Sequence, residues 1–172
     1  MKKEKTQDYA DRYFKEVEQI AKTIDLQLIE KMVQIILSVK NKKGRLFFIG
    51  VGGSAANCTH AVNDFRKIGG IECYTPCDNV AEVTARTNDE GWDSVFAPWL
   101  ECSHLNDKDA IFCFSVGGGS KEKLVSVNLI HALDYAKKVG ASIMAITGRN
   151  GGFAGKVADA CLIIPSQSGD GI

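Results

Sequence analysis

Four short, almost wholly apolar runs, each closed by glycine or proline, constrain this chain more than any other feature. They are Leu46-Phe47-Phe48-Ile49, Ala110-Ile111-Phe112-Cys113-Phe114, Ser142-Ile143-Met144-Ala145-Ile146 and Ala160-Cys161-Leu162-Ile163-Ile164. A strand covered on both faces is apolar at successive positions instead of alternating, and helical crossovers provide such cover. Between the runs lie helix-like stretches, expected from about Ser54 to Ile68, around Asn79–Thr87 and Trp92–Cys102, and over roughly Lys121–Val139. A second short strand is expected at Ile71-Glu72-Cys73-Tyr74. The pattern reads as an α/β domain: a doubly wound, about five-stranded parallel sheet.

Residues 1–43 have a different texture and form a helical extension to the 44–172 core. Apolar residues recur at helical spacing in Tyr9-Ala10, Tyr13-Phe14, Val17 and Ile20-Ala21. Asp25 can cap a second helix carrying Leu28-Ile29, Met32-Val33 and Ile35-Ile36, with Lys40, Lys42 and Lys43 at its C-terminal end. Such broad apolar faces need a partner, either a second subunit or the sheet.

The 172 residues carry 21 basic and 21 acidic side chains, so the formal net charge is zero. That balance argues against a nucleic-acid-binding protein, whose footprint is an excess of basic residues. No apolar run approaches the roughly 20 residues of a membrane span, and MKKEKTQDYADRYFKE lacks the apolar segment of a secretory signal. The six cysteines form no Cys-x-x-Cys pair, which fits reduced thiols and a cytoplasmic protein.

In open α/β sheets ligands bind beyond the carboxyl ends of the strands. Three strands here end in glycine-rich turns: Gly50-Val51-Gly52-Gly53-Ser54, Ser115-Val116-Gly117-Gly118-Gly119-Ser120 and Gly148-Arg149-Asn150-Gly151-Gly152. Glycine lets the chain approach an anion, and hydroxyls and helix N-termini supply donors. Two Gly/Ser loops on one sheet point to a phosphate site, although either could simply turn the chain. Gly50-x-Gly52-x-x-Ala55 with Glu72 downstream also fits a dinucleotide fingerprint, but Glu72 comes too early in its strand for a ribose ligand. His60 and Asp64, four apart, share a helix face. They could move protons, hold a metal, or simply stabilise the helix. Asn88-Asp89-Glu90-Gly91 reads as a polar loop between helical segments. Arg66, Lys67 and Arg86 could add positive charge.

The segment FFIGVGGSAANCTHAVNDF resembles the first loop and helix of sugar isomerase (SIS) domains. It is most similar to the phosphoheptose isomerases, with their G-N-G-G-S-A-x-x-x-x-H-x-x-x-E pattern. CFSVGGGS resembles their second phosphate loop, AITGRNGG the next strand and turn, and the N-terminal helix pair also fits. The resemblance implies an isomerase that converts sedoheptulose 7-phosphate to D-glycero-D-manno-heptose 7-phosphate through an enediol, for lipopolysaccharide or capsule. The alternative is a non-catalytic module that binds a sugar phosphate.

The same resemblance implies a homotetramer with sites between subunits, possible zinc and no organic cofactor. Gly52, Gly53, Ser54, Ser115, Gly117, Gly118, Gly119 and Ser120 would bind the phosphate. Asn88 and Asp89 would lie near the sugar, Asp64 would be the base, and His60 its partner or, with Asp64, a metal ligand. Asp64 stands where the family has glutamate, one methylene longer. Val51, Val116 and Gly117 also depart from the pattern. The family continues into a further C-terminal helix bearing a His and a Gln, which the 172 residues do not include.

Overall fold

The computed structural model describes residues 6–165. Two helices, α1 (Thr6–Thr23) and α2 (Leu26–Asn41), precede β1 (Leu46–Gly50), α3 (Gly53–Lys67) and β2 (Cys73–Tyr74). Next come α4 (Val80–Glu90), α5 (Ala97–Cys102), β3 (Ala110–Ser115), α6 (Val127–Val139), β4 (Ser142–Thr147), α7 (Gly152–Val157) and β5 (Ala160–Ile163). The five strands form one sheet in the order β2-β1-β3-β4-β5, every pair parallel. From β1 the chain steps outward to β2 and then returns to the other side as β3. The crevice of a doubly wound sheet opens at such a reversal.

Successive strand residues point to opposite faces, and the core divides accordingly. Phe47, Ile49, Ile111, Cys113, Ile143 and Ala145 pack with Leu100 of α5, Leu129 and Leu133 of α6 and Ala154 of α7. Leu46, Phe48, Ala110, Phe112 and Met144 pack on the other face with Met32 and Val39 of α2 and Cys58 and Val62 of α3. Arg45 and Asp109 pin the starts of β1 and β3 together. The buried Asp109 accepts from the Arg45 amide at 2.8 Å and from its guanidinium at 2.7 Å.

Asp25 caps α2 as its sequence position suggests, accepting from the Gln27 and Leu28 amides at 2.8 and 3.3 Å. The sheet is thus the partner of one helical face only. Tyr9, Tyr13, Phe14 and Val17 of α1 and Leu26, Val33 and Leu37 of α2 remain exposed. No helix among the described residues is long and apolar enough to cross a membrane.

Several expected boundaries move. The second strand shrinks to Cys73–Tyr74 because the Ile71 amide is held by the Phe65 carbonyl at the end of α3. The stretch 92–102 splits into a 3-10 turn over Trp92–Ser94 and the short α5. Asn88 and Asp89 do not sit in a loop: α4 runs on to Glu90 and stops at Gly91, whose φ of 88° suits glycine. Arg86 reinforces that last turn, pairing with Glu82 at 2.9 Å and Glu90 at 3.7 Å. The helix expected from Lys121 starts only at Val127. Lys121-Glu122-Lys123 has no apolar stripe to bury, and Ser120 Oγ takes the Lys123 amide at 3.2 Å, a local bond that competes with helix. Ser120 and Val125 then exchange backbone bonds of 3.0 and 3.1 Å.

Candidate active site

The turn after β1 passes directly into α3. A Cβ on Gly50 would come within 2.8 Å of Ser54, so glycine lets the helix start press against the strand end. Gly52 takes a left-handed φ of 62°, and around both Gly52 and Gly53 the space is open. The Ser54 and Ala55 amides close on the Val51 and Gly52 carbonyls at 3.2 and 3.0 Å. The donors left for a ligand are therefore led by the Ser54 hydroxyl, supported by the positive end of a 15-residue helix.

Helical spacing carries the same face down α3. Ser54, Asn57, His60, Ala61, Asp64 and Phe65 line one wall of a cavity of about 620 Å³. The opposite wall comes from the ends of β3 and β4, with Ser115, Val116, Thr147 and Gly148. Phe65, Phe114, Ile146 and Ile164 supply its apolar surface. His60 Nε2 lies 3.2 Å from Asp64 Oδ2, and the Asn63 side-chain amide donates to Asp64 Oδ1 at 3.0 Å. The two side chains are 78% and 44% exposed, so a ligand in the cavity can reach both. Ser115 Oγ accepts the Gly118 amide at 3.0 Å, which fixes its position and keeps its own proton available for donation. Among the described residues no lysine or arginine lines this cavity; hydroxyls and the helix end would have to hold an anion.

The third glycine turn braces the second. The first amides of α7, on Phe153 and Ala154, are taken by the Gly119 and Gly118 carbonyls at 2.9 and 2.8 Å. Gly118 has a φ of 68°, and a Cβ there would collide with the Gly151 carbonyl.

The expected site residues separate on this frame. Ser54, Ser115, His60 and Asp64 come together in one cavity. Gly117, Gly119 and Ser120 line a neighbouring recess beyond the loop. Asn88 and Asp89 lie at the end of α4, hydrogen-bonded to one another at 2.7 Å, and are not among the residues that line the cavity. Arg66 is committed elsewhere, donating to the Cys73 carbonyl at 3.1 Å and packing over the Tyr74 ring. Glu72 precedes β2, away from the strand's carboxyl end where the ribose ligand of a dinucleotide site belongs, and accepts from the Tyr74 hydroxyl at 2.9 Å. Asn57 and Thr147 were not anticipated as cavity residues. Asn57 follows Ser54 by three on the helix, a spacing that could have exposed it; Thr147 depends on which strand ends adjoin.

Four of the six cysteines are poor candidates for nucleophiles. Burial pushes the Cys58 thiol up to about 12 and the Cys73 thiol up to about 11, and it raises Cys77 and Cys113 as well. Protonated thiols are weak nucleophiles, and among the described residues no cysteine lines the cavity, whose ionisable side chains are His60 and Asp64. As metal ligands those two make a pair. A zinc site takes at least three protein ligands, and no group of three or more His, Cys, Asp or Glu occurs among the described residues.

A ligand cavity at the topological switch point, with hydroxyl donors facing an acid–base pair, defines a small-molecule α/β protein. The chain belongs to the SIS-domain family, whose model matches residues 8–148. It is 32% identical over 168 residues to a probable phosphoheptose isomerase of Thermoplasma volcanium, covering 95% of this chain and 82% of the relative. It is 35% identical over 142 residues to the lincomycin biosynthesis protein LmbN of Streptomyces lincolnensis, covering 77% of this chain but only half of that protein. The phosphoheptose isomerase of Neisseria gonorrhoeae shares the fold, with a TM-score of 0.81 at 24% identity over 93% of this chain and 86% of that one.

Proposed function

We propose that the protein is an aldose–ketose isomerase acting on a sugar phosphate, with sedoheptulose 7-phosphate as the substrate to test first. One observation carries the reading. The His60–Asp64 pair, 3.2 Å apart, shares a cavity with the Ser54 and Ser115 hydroxyls, so proton transfer and anion binding can act on one small molecule. The relatives named as phosphoheptose isomerases support the substrate class.

In the direction from ketose to aldose, the Asp64 carboxylate removes a proton from C1, and the C1–H electron pair becomes the C1–C2 double bond of the enediol. The carbonyl oxygen at C2 gains a proton as this forms, a step suited to protonated His60. Asp64 then returns its proton to C2 as neutral His60 takes the proton of the O1 hydroxyl, leaving an aldehyde at C1 and both side chains as they began. Ser54, Ser115 and the α3 N-terminus hold the phosphate, so the reacting carbons stay within reach of one base. A positioned base contributes about 100- to 10,000-fold. Asp64→Asn is therefore expected to lower turnover by about that factor, as followed by NMR of aldose formation, with phosphate-ester affinity retained. No turnover by the wild-type protein would favour the binding-module alternative.

His60 and Asp64 supply two of the donors a zinc ion would need, and the steps above do not pass through a metal. The exposed apolar residues of α1 and α2 support a homotetramer in which these helices pack on other copies. Sedimentation is expected to show a tetramer, with Phe14→Glu shifting it toward smaller species. A wild-type monomer at micromolar concentration would contradict the assembly.

A further inference from the structure

On the α3 wall of the cavity, one polar side chain is left over from the helix's own bonding. Asn57 lines the cavity between Ser54 and the His60–Asp64 pair, and it is exposed. Its polar neighbours on the helix are engaged. Thr59 Oγ1 lies 3.0 Å from Asp78, the Asn63 amide donates to Asp64 at 3.0 Å, and His60 lies 3.2 Å from Asp64. The Asn57 side chain makes no hydrogen bond among the described residues. Folding does not account for its presence. Asparagine is a poor residue for a helix interior, its usual helical use is as a cap, and the cap position here belongs to Gly52. Helical geometry fixes its level. At about 1.5 Å per residue, Asn57 stands about 4.5 Å from Ser54 and about 10.5 Å short of Asp64 along the helix axis. Seven residues are close to two full turns, so Asn57 and Asp64 point the same way. Ala61, one turn on, offers only a methyl. On this wall, among the described residues, no other polar side chain lies between Ser54 and His60.

We infer that Asn57 is a specificity-determining residue that binds hydroxyls of the substrate chain on the carbons nearest its phosphate. The inference rests on the isomerase reading, which puts the phosphate at Ser54 and the reacting carbons at Asp64. A chain held at those two ends passes Asn57 with carbons that neither react nor carry the phosphate. In a sugar each of those bears a hydroxyl, at once donor and acceptor, and a primary amide matches it with the Oδ1 acceptor and two Nδ2 donors. Across the cavity Phe114, Ile146 and Ile164 offer no such partner. A hydroxyl set against them would lose water without replacing it. A site that bonds a hydroxyl also rejects the analogue lacking it, because the covered amide is then left unpaired. Asn57 therefore selects polyhydroxylated phosphate esters over phosphate alone or a deoxy chain.

Titration calorimetry of the full chain with sedoheptulose 7-phosphate and, separately, with inorganic phosphate is the experiment. Asn57→Ala is expected to raise the Kd for the sugar phosphate about three- to tenfold, as for the loss of a hydrogen bond. Inorganic phosphate should stay within about twofold. Asn57→Leu, which keeps the volume and favours helix, should match the alanine variant, so a change in helix stability cannot imitate the effect. Ser54→Ala should weaken both ligands. Unchanged sugar-phosphate affinity in both Asn57 variants would overturn the inference. So would equal weakening of both ligands, which marks a distorted phosphate loop. Sugar-phosphate binding by the wild type without turnover would refute the isomerase reading alone, because the Asn57 comparison reads affinity.

Discussion

The turns after β1 and β3 look alike as sequence, since each strings glycines and serine behind an apolar strand. They do different work. After β1 the chain enters α3 at once, and Gly52 and Gly53 open onto empty space where a ligand can approach. After β3 the glycines face protein: Gly118 meets the Gly151 carbonyl, and the carbonyls of Gly118 and Gly119 cap α7. Ser115 and Val116, at the strand end, turn toward the cavity, while Ser120 sits in a narrow bridge with Val125 on the far side. A glycine-rich loop can thus be a cradle or a clasp, and what lies beyond its missing Cβ tells the two apart.

Alanine substitutions sharpen that contrast. Gly118→Ala combines a left-handed φ with a collision against backbone, and is expected to cost about 2–4 kcal/mol in thermal or denaturant unfolding. Gly53→Ala lies at the other extreme. It has ordinary φ, nothing within 4 Å of the new methyl and a helical position, so stability should stay within about 0.5 kcal/mol. Its effect should instead fall on phosphate-ester affinity, because the methyl projects into the open space next to Ser54, the hydroxyl proposed to hold the phosphate. Equal stability losses in the two variants would break the distinction between cradle and clasp.

How much of this was legible beforehand depends on how local each determinant is. The strands at Leu46, Ala110, Ser142 and Ala160 were readable because burial on both faces leaves its mark on every residue. The His60–Asp64 pair was readable because four residues make one helical turn, and Ser54 because it opens that helix. The Lys121–Val125 segment was not. Its lysines and glutamate favour helix in isolation, but nothing there packs on the sheet, and the Ser120 hydroxyl offers Lys123 another partner. Asn88 and Asp89 were misplaced for the opposite reason, since Arg86 and its two glutamates carry α4 past them. Phe65, Phe114, Ile146 and Ile164 each read as core residues. Only the strand order brings them around one cavity, and no local pattern encodes that order.

The central claim is that Asp64 moves a carbon-bound proton on a sugar phosphate held by Ser54 and Ser115. Incubating the protein with sedoheptulose 7-phosphate in D2O and following the C1 protons by NMR tests it most directly, because exchange reports enediol formation even where net conversion is small. The account predicts deuterium entry at C1 with the wild-type protein and a loss of about 100-fold or more with Asp64→Asn. Exchange at the wild-type rate in Asp64→Asn would contradict it.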